Sequence, residues 1–402
     1  MSCRSRFATL GGAAALAVLL ALPAAGQSLK PDEVLSSIVV RPLSAPDPVR
    51  GADGRVHLAY ELAVSNASSW YVRLDRLESV DASGNVLATL SGEGLTAMTH
   101  FYAGRDGAIG PGGSAVVFLD VSLDAGATLP AQVSARITAT RLKEENGTLV
   151  PDASDGPAPA VYTFTSAPVT PGRPAVVLSP PLRGKGWVAA SGCCDEITSH
   201  RGAILAINGR QVAPERFAID WVKLQDDGYL FTGGGTRLAD YAYYGDPIYA
   251  AADGVVVNLY DEADEQVPGP DAKPTGIAPA NIGGNMLVVD IGGGAYAFYA
   301  HLQRGSLKVG LGDRVKTGDV IGLLGNTGNS TAPHLHFHVM DGPSPLNASG
   351  LPYVFTRFSG QGTLSPGNED ELENGKKARI EPRLVGAMTD ALPLNNQVVD
   401  FE

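Results

Sequence analysis

The segment Pro333-His334-Leu335-His336-Phe337-His338-Val339 alternates imidazole and apolar residues without a break. On an extended strand, successive side chains point to opposite faces. His334, His336 and His338 therefore share one face, and Leu335, Phe337 and Val339 share the other. The apolar face requires a core to pack on. A row of imidazoles is costly to bury unless it binds something. Neutral imidazole is the commonest transition-metal ligand, and two of them at i and i+2 can converge on one site. A metal centre built on a β-sheet is the expectation. A solvent-facing histidine strand is the plain alternative.

The remainder of the chain suits such a sheet. Its 402 residues are enough for two domains, and 49 Gly with 28 Pro make it rich in turns. A net charge of −12 excludes a general nucleic-acid binder, which needs a basic face for phosphates. From Val56 to Val64 apolar residues occupy every second place, the period of a half-buried strand. Tyr71 to Val80, Ala115 to Leu123 and Val133 to Thr140 repeat the pattern less cleanly, with turn clusters between them. The fold expected is all-β. An N-terminal Ig-like β-sandwich covers 27–167, and a Pro-rich linker covers 168–186. A second strand-and-turn domain covers 187–356, and a polar, acidic, loosely ordered tail covers 357–402. His57 and His100 stand alone in the first domain and read as non-catalytic.

Residues 1–26 read as a signal peptide. Arg4 and Arg6 precede an Ala/Leu run from Leu10 to Leu22, and Ala24-Ala25-Gly26 offers a cleavage site. The run is too short to span a bilayer, and no later stretch is apolar enough. An exported protein, periplasmic or extracellular, is expected. Without the leader, Cys193 and Cys194 are the cysteines that remain. Neighbours in sequence cannot cross-link distant segments. They form a vicinal disulfide, stay as thiols or offer a soft metal ligand. An oxidising compartment favours the disulfide over the thiols.

Taken together, the motifs resemble a family. The run from Gly325 to Phe337, GNTGNSTAPHLHF, looks like the signature of the lysostaphin-type, LytM-like zinc endopeptidases that cut peptidoglycan cross-bridges. Tyr299-Ala300-His301-Leu302 matches that family's middle histidine motif. Val309 to Gly322 matches its hairpin, and Gly245 to Val255 matches the strand pair after its first metal motif. The resemblance implies an antiparallel β-sheet peptidase domain and a zinc cofactor. By position, Asp220 and His336 are implied as zinc ligands, and His301 and His334 as the catalytic, non-ligand histidines beside the reacting water. His338 stands where the family commonly has an acid, and is expected behind a ligand or in the groove wall.

One position departs from the pattern. The family's first motif is His-x-x-x-Asp, and here Arg216 stands four residues before Asp220. A guanidinium cannot ligate zinc. Arg216 could pair with Asp220 in a degenerate site, water could fill the gap, or another residue could replace the ligand. His200 is the best substitute. It precedes an Asn208-Gly209 hairpin signal that leads the chain back toward Asp220. A two-residue turn at 208–209 sets His200 opposite Phe217. A three-residue turn at 208–210 sets it opposite Ala218, on the face shared by Arg216 and Asp220. Arg216 is then expected beside the site.

Two segments read as insertions around the groove. Asp226 to Tyr244 carries Tyr241, Tyr243 and Tyr244, which could line a groove or fill a core. Asp261 to Asn281 has the length of a lid or a disordered loop. The function implied is zinc-dependent hydrolysis of peptide cross-links in peptidoglycan, with no nucleic-acid partner. The alternative is a catalytically degenerate module that binds cell wall or activates another cell-wall hydrolase.

Overall fold

The computed structural model describes residues 33–152 and 159–402. The expected signal peptide lies outside the described residues. None of their helices is long and apolar enough to cross a membrane.

The first domain is a sandwich of two antiparallel sheets. One sheet runs in the order Ile38–Pro42, Val56–Asn66, Ser114–Leu123, Thr99–Phe101. The other is centred on Tyr71–Val80 and Ser134–Glu145. Leu58, Tyr60, Leu62 and Val64 point inward from one sheet and meet Val72, Leu77, Ile137 and Ala139 of the other. The alternation places them there, as expected. The opposite face of the same strand differs from expectation. His57, Ala59, Glu61 and Ala63 are also buried, so the strand is covered on both sides. Val49, Ala52 and Ala59 belong to the core of the second domain. The two domains therefore share a packed boundary.

The second domain is built on one long antiparallel sheet. Its central run is Gly254–Tyr260, Asn285–Gly292, Ala295–Leu302, Leu335–Met340, Ile219–Lys223, Gly184–Ala190, Gln397–Phe401, Phe358–Leu364. Two features depart from the sequence reading. The central strand Gly184–Ala190 begins inside the expected linker, and Leu178 and Leu182 before it are buried. Residues 357–402 are not a loose tail. They contribute four strands and the helix Asn368–Glu373, with Leu364, Leu372, Val398 and Phe401 buried. Each apolar group there is only two or three residues long and sits among Gly, Pro and acids. Such groups do not stand out until strand pairing brings them together.

Asp261 to Asn281 does not swing free. Glu265 accepts the amide of Asn326 at 2.7 Å, and the Gln266 amide donates to the Asn326 carbonyl at 2.8 Å. The segment is thus pinned to the loop that precedes the histidine strand. Tyr241 and Tyr243 are core residues.

His57 is not the isolated residue the sequence suggested. Its Nδ1 lies 2.8 Å from Asp120 and its Nε2 lies 3.3 Å from Asp53. Burial opposes its charge, but the two carboxylates outweigh burial and hold its pKa up at about 9. A raised histidine pKa stabilises the fold fully below the unfolded value of 6.5, and this is lost as pH rises through about 9. Between those limits the chain should lose on the order of 1–3 kcal/mol of stability. His57→Gln should flatten the dependence. Urea denaturation of both proteins across this range checks it, and a flat wild-type profile would refute it.

Candidate metal centre

Two adjacent strands carry the heart of the site. Ile219–Lys223 pairs antiparallel with Leu335–Met340, and Asp220 stands directly opposite His336. Ile219, Trp221, Leu335 and Phe337 fill the core on the other face. The core packing therefore fixes the register that faces the carboxylate toward the imidazole. A slip of one residue would bury Asp220 and expose Trp221.

The carboxylate gathers three imidazoles. Asp220 Oδ1 lies 2.9 Å from His336 Nδ1 and 3.4 Å from His334 Nε2. Its Oδ2 lies 3.2 Å from His200 Nε2. Donor atoms of His200, Asp220 and His336 all lie within 4.8 Å of one another. Burial alone would raise the pKa of Asp220, yet His200 and His334 hold it well below the usual carboxylate range. Burial likewise opposes charge on His200, and Asp220 outweighs it to hold that pKa at about 9.

Backbone carbonyls orient the rings. His200 Nδ1 donates to the carbonyls of Ala218 at 3.0 Å and Ser191 at 3.1 Å, which leaves Nε2 free to ligate. His301 Nδ1 donates to the Thr327 carbonyl at 2.7 Å. His334 Nδ1 donates to the Ala332 carbonyl at 2.8 Å. His336 Nε2 lies 2.9 Å from His338 Nδ1, so His338 accepts from His336 when Nδ1 of His336 faces a metal. His338 lies two residues beyond His336 on the same strand, is buried, and does not line the cleft.

His301 adopts a left-handed backbone, φ 65°, rare for a residue with a side chain. That conformation sets its ring 4.5 Å from His334 and 5.9 Å from His336. The Thr327 carbonyl reaches it because Gly328 and Gly284 cross closely. A Cβ on Gly328 would stand 2.1 Å from the Gly284 nitrogen. The five groups open onto a cleft of about 470 Å³, bounded by Phe298, Ser330 and Leu346 among others. A smaller cavity of about 120 Å³ adjoins Asp220 and His334 and is closed by Leu364, Leu372 and Glu373 of the C-terminal segment.

The structure differs from the sequence reading at the first metal motif. The hairpin does turn at Asn208-Gly209 with two residues, pairing Ile207 with Arg210, but its ladder ends at Leu205 and Val212. His200 therefore does not arrive by strand pairing. A tight turn delivers it, in which the Gly202 amide bonds the Thr198 carbonyl and Thr198 Oγ1 bonds the Ser191 carbonyl. Arg216 is not beside the site and does not pair with Asp220. It points into the domain boundary, where Nε faces Glu61 at 3.4 Å and Nη1 donates to the carbonyl of Ala45 at 3.2 Å. The sequence reading missed Glu61. Its one visible signal was a carboxylate between Tyr60 and Leu62 in a strand of mostly apolar or small residues.

Cys193 and Cys194 form a disulfide. A second group of close donors, His57, Asp120 and Cys194, therefore lacks a free thiolate, and the cysteines supply no ligand to the first group.

Residues 235–348 match Peptidase family M23. Over 199 residues the chain is 29% identical to glycyl-glycine endopeptidase ALE-1 of Staphylococcus capitis, covering 47% of this chain and 49% of that protein. Over 81 residues it is 40% identical to lysostaphin of Staphylococcus simulans, covering 20% and 16%. Over 104 residues it is 33% identical to the peptidoglycan DD-endopeptidase ShyA of Vibrio cholerae, covering 26% and 20%. The match thus spans about half of ALE-1 and far less of the other two. The catalytic domain of lysostaphin has a solved structure that matches with 25% identity and a TM-score of 0.22, over 42% of this chain and 88% of that one. The segment that matches peptidase family M23 carries His301, His334, His336 and His338.

Proposed function

We propose that the chain is an exported zinc-dependent endopeptidase that hydrolyses peptide bonds in peptidoglycan. One observation carries the reading. His200, Asp220 and His336 present three converging donors, with His301 and His334 facing them across the head of a cleft. The donor set fits zinc. Two imidazoles and one carboxylate are a catalytic zinc set, and an ion with bonds of about 2.0–2.1 Å would keep tetrahedral donors ~3.3 Å apart. His200 Nε2 lies 3.2 Å from one oxygen of Asp220 and His336 Nδ1 lies 2.9 Å from the other, and the three donors lie within 4.8 Å of one another.

A zinc ion held there would polarise the scissile carbonyl and lower the pKa of a bound water to about 7. The chain's own groups supply the rest. His301 presents its Nε2 as a proton acceptor, because Nδ1–H is committed to Thr327. His334 turns Nε2 toward Asp220 and the cleft, where a protonated ring would donate to developing negative charge on the substrate oxygen. Asp220 orients His200, His334 and His336 together. The cleft gives a peptide about 470 Å³ of space beside these groups, and the adjoining cavity of about 120 Å³ offers room for a side chain beyond Asp220.

The rival reading, a degenerate module that binds wall or activates a partner hydrolase, drew its support from Arg216. That residue turns to Glu61, and the position of His200 Nε2 beside Asp220 supports the enzyme reading.

The purified chain should hold close to one zinc per molecule and release soluble muropeptides from purified sacculi, and Asp220→Ala should do neither. Zinc-free wild type after reloading at neutral pH would overturn the reading. His200→Ala and His336→Ala should each release zinc in competition with a chromophoric chelator, whereas Arg216→His should not tighten it. Tighter binding by Arg216→His with no effect of His200→Ala would show that His200 is no ligand. His301→Ala and His334→Ala should retain zinc and lose roughly 10²–10⁴-fold in turnover, the scale of a positioned acid or base. Loss of metal in both variants would mean that they are ligands.

A further inference from the structure

His200 differs from its two fellow ligand candidates in how it is held. Asp220 and His336 sit on neighbouring strands of a packed sheet. His200 sits in a turn between Cys194 and the short strand Leu205–Ile207. Arg201 within this arm and Arg216 beyond its hairpin are both buried, at 0% and 2% exposure.

Each arginine is anchored in the first domain. Arg201, the residue after His200, donates through Nη2 to the Leu119 carbonyl at 3.1 Å, and through Nη1 to carbonyls of its own arm at Cys194 and Glu196. Arg216 faces Glu61 and donates to the Ala45 carbonyl. Glu61 has 0% exposure, and its charge also acts on Arg201. Ile197 and Ile204, on either side of His200, pack on Val116 and Phe118 of the sandwich. The arm is thus clamped between its own sheet and the first domain.

We propose that the first domain is a working part of the metal site: Glu61, acting through Arg216 and Arg201, is a positioning residue that holds His200 in reach of Asp220 and His336, so that metal binding and domain docking are thermodynamically linked. The inference rests on the zinc reading above. Glu61 touches no ligand itself. A buried guanidinium without its carboxylate is strongly unfavourable, so losing Glu61 drives the arm outward toward water and carries His200 with it. Linkage requires the reverse effect as well: whatever docking contributes to zinc affinity, zinc contributes to docking.

Zinc titration of the full chain, paired with hydrogen–deuterium exchange, tests this. Glu61→Gln should weaken zinc about 10- to 100-fold, the range for residues that orient a ligand. Glu61→Arg, which sets a third cation beside two, should weaken it further. In wild type, zinc should slow exchange in residues 193–217 and also in residues 43–61 of the first domain, which contain no ligand. That distant protection should vanish in His200→Ala, where both arginines remain. Contacts that merely held two domains together would give no zinc-dependent protection there in the wild type. Wild-type zinc affinity in Glu61→Gln alongside faster exchange at 193–217 would overturn the proposal. Zinc binding without protection of 43–61 in the wild type would do the same, and it needs no variant to fold. A wild type that takes up no zinc would instead overturn the underlying zinc reading together with this inference.

Discussion

Everything at the candidate site converges on the Asp220 carboxylate. It takes His336 on one oxygen and His200 on the other, with His334 near the first. A half-buried carboxylate among imidazoles stays ionised only because they surround it, and they in turn are drawn together by its charge. The sheet supplies this arrangement through register alone. Trp221 and Phe337 must face the core, so Asp220 and His336 must face the cleft.

The histidines around that carboxylate fall into two electrostatic groups. Burial and the neighbouring rings of His334 and His336 push His301 well below the usual histidine range, so it stays neutral. His334 is disfavoured as a cation by burial, but Asp220 outweighs that and raises its pKa. The rings of His301 and His334 lie only 4.5 Å apart, yet their surroundings move them in opposite directions.

Much of this was legible in the sequence, for an identifiable reason. Period-two alternation encodes faces, so Pro333 to Val339 gave a histidine face and a core face, and Val56 to Val64 gave a sandwich strand. What alternation cannot encode is what covers a face. The polar side of Val56–Asn66 looked solvated and proved to be a domain boundary, because Ala59 and Ala63 are small enough to be packed on and Glu61 finds an arginine there. The C-terminal strands were hidden for a related reason. Val398, Val399 and Phe401 are buried by neighbours more than a hundred residues away in sequence, such as Val188 and Trp221. His200 was found by proximity, but the route proposed for it was wrong. The Asn208-Gly209 turn was correctly read, yet its ladder is three pairs long and stops short of His200.

As a proposed ligand, His200 differs from Asp220 and His336 in sitting in a turn and not on a paired strand. A strand side chain is fixed by two neighbours and by the core beneath it. A turn has neither, and a metal site tolerates errors of only about 0.5 Å in its ligands. His200 regains that precision from two directions. On the sheet side, the carbonyls of Ser191 and Ala218 fix its ring and tautomer. On the other side there is no sheet, and the surface available is the back of the sandwich. Seating an arm there requires buried groups that can satisfy open carbonyls at the edge of another fold. Guanidinium groups suit this, with several donors on one planar head. Arg201 uses its donors on Leu119 and on its own arm, and Arg216 uses its donors on Ala45 and Ala59. On the proposed reading, Arg216 is one end of a brace for the arm that carries His200.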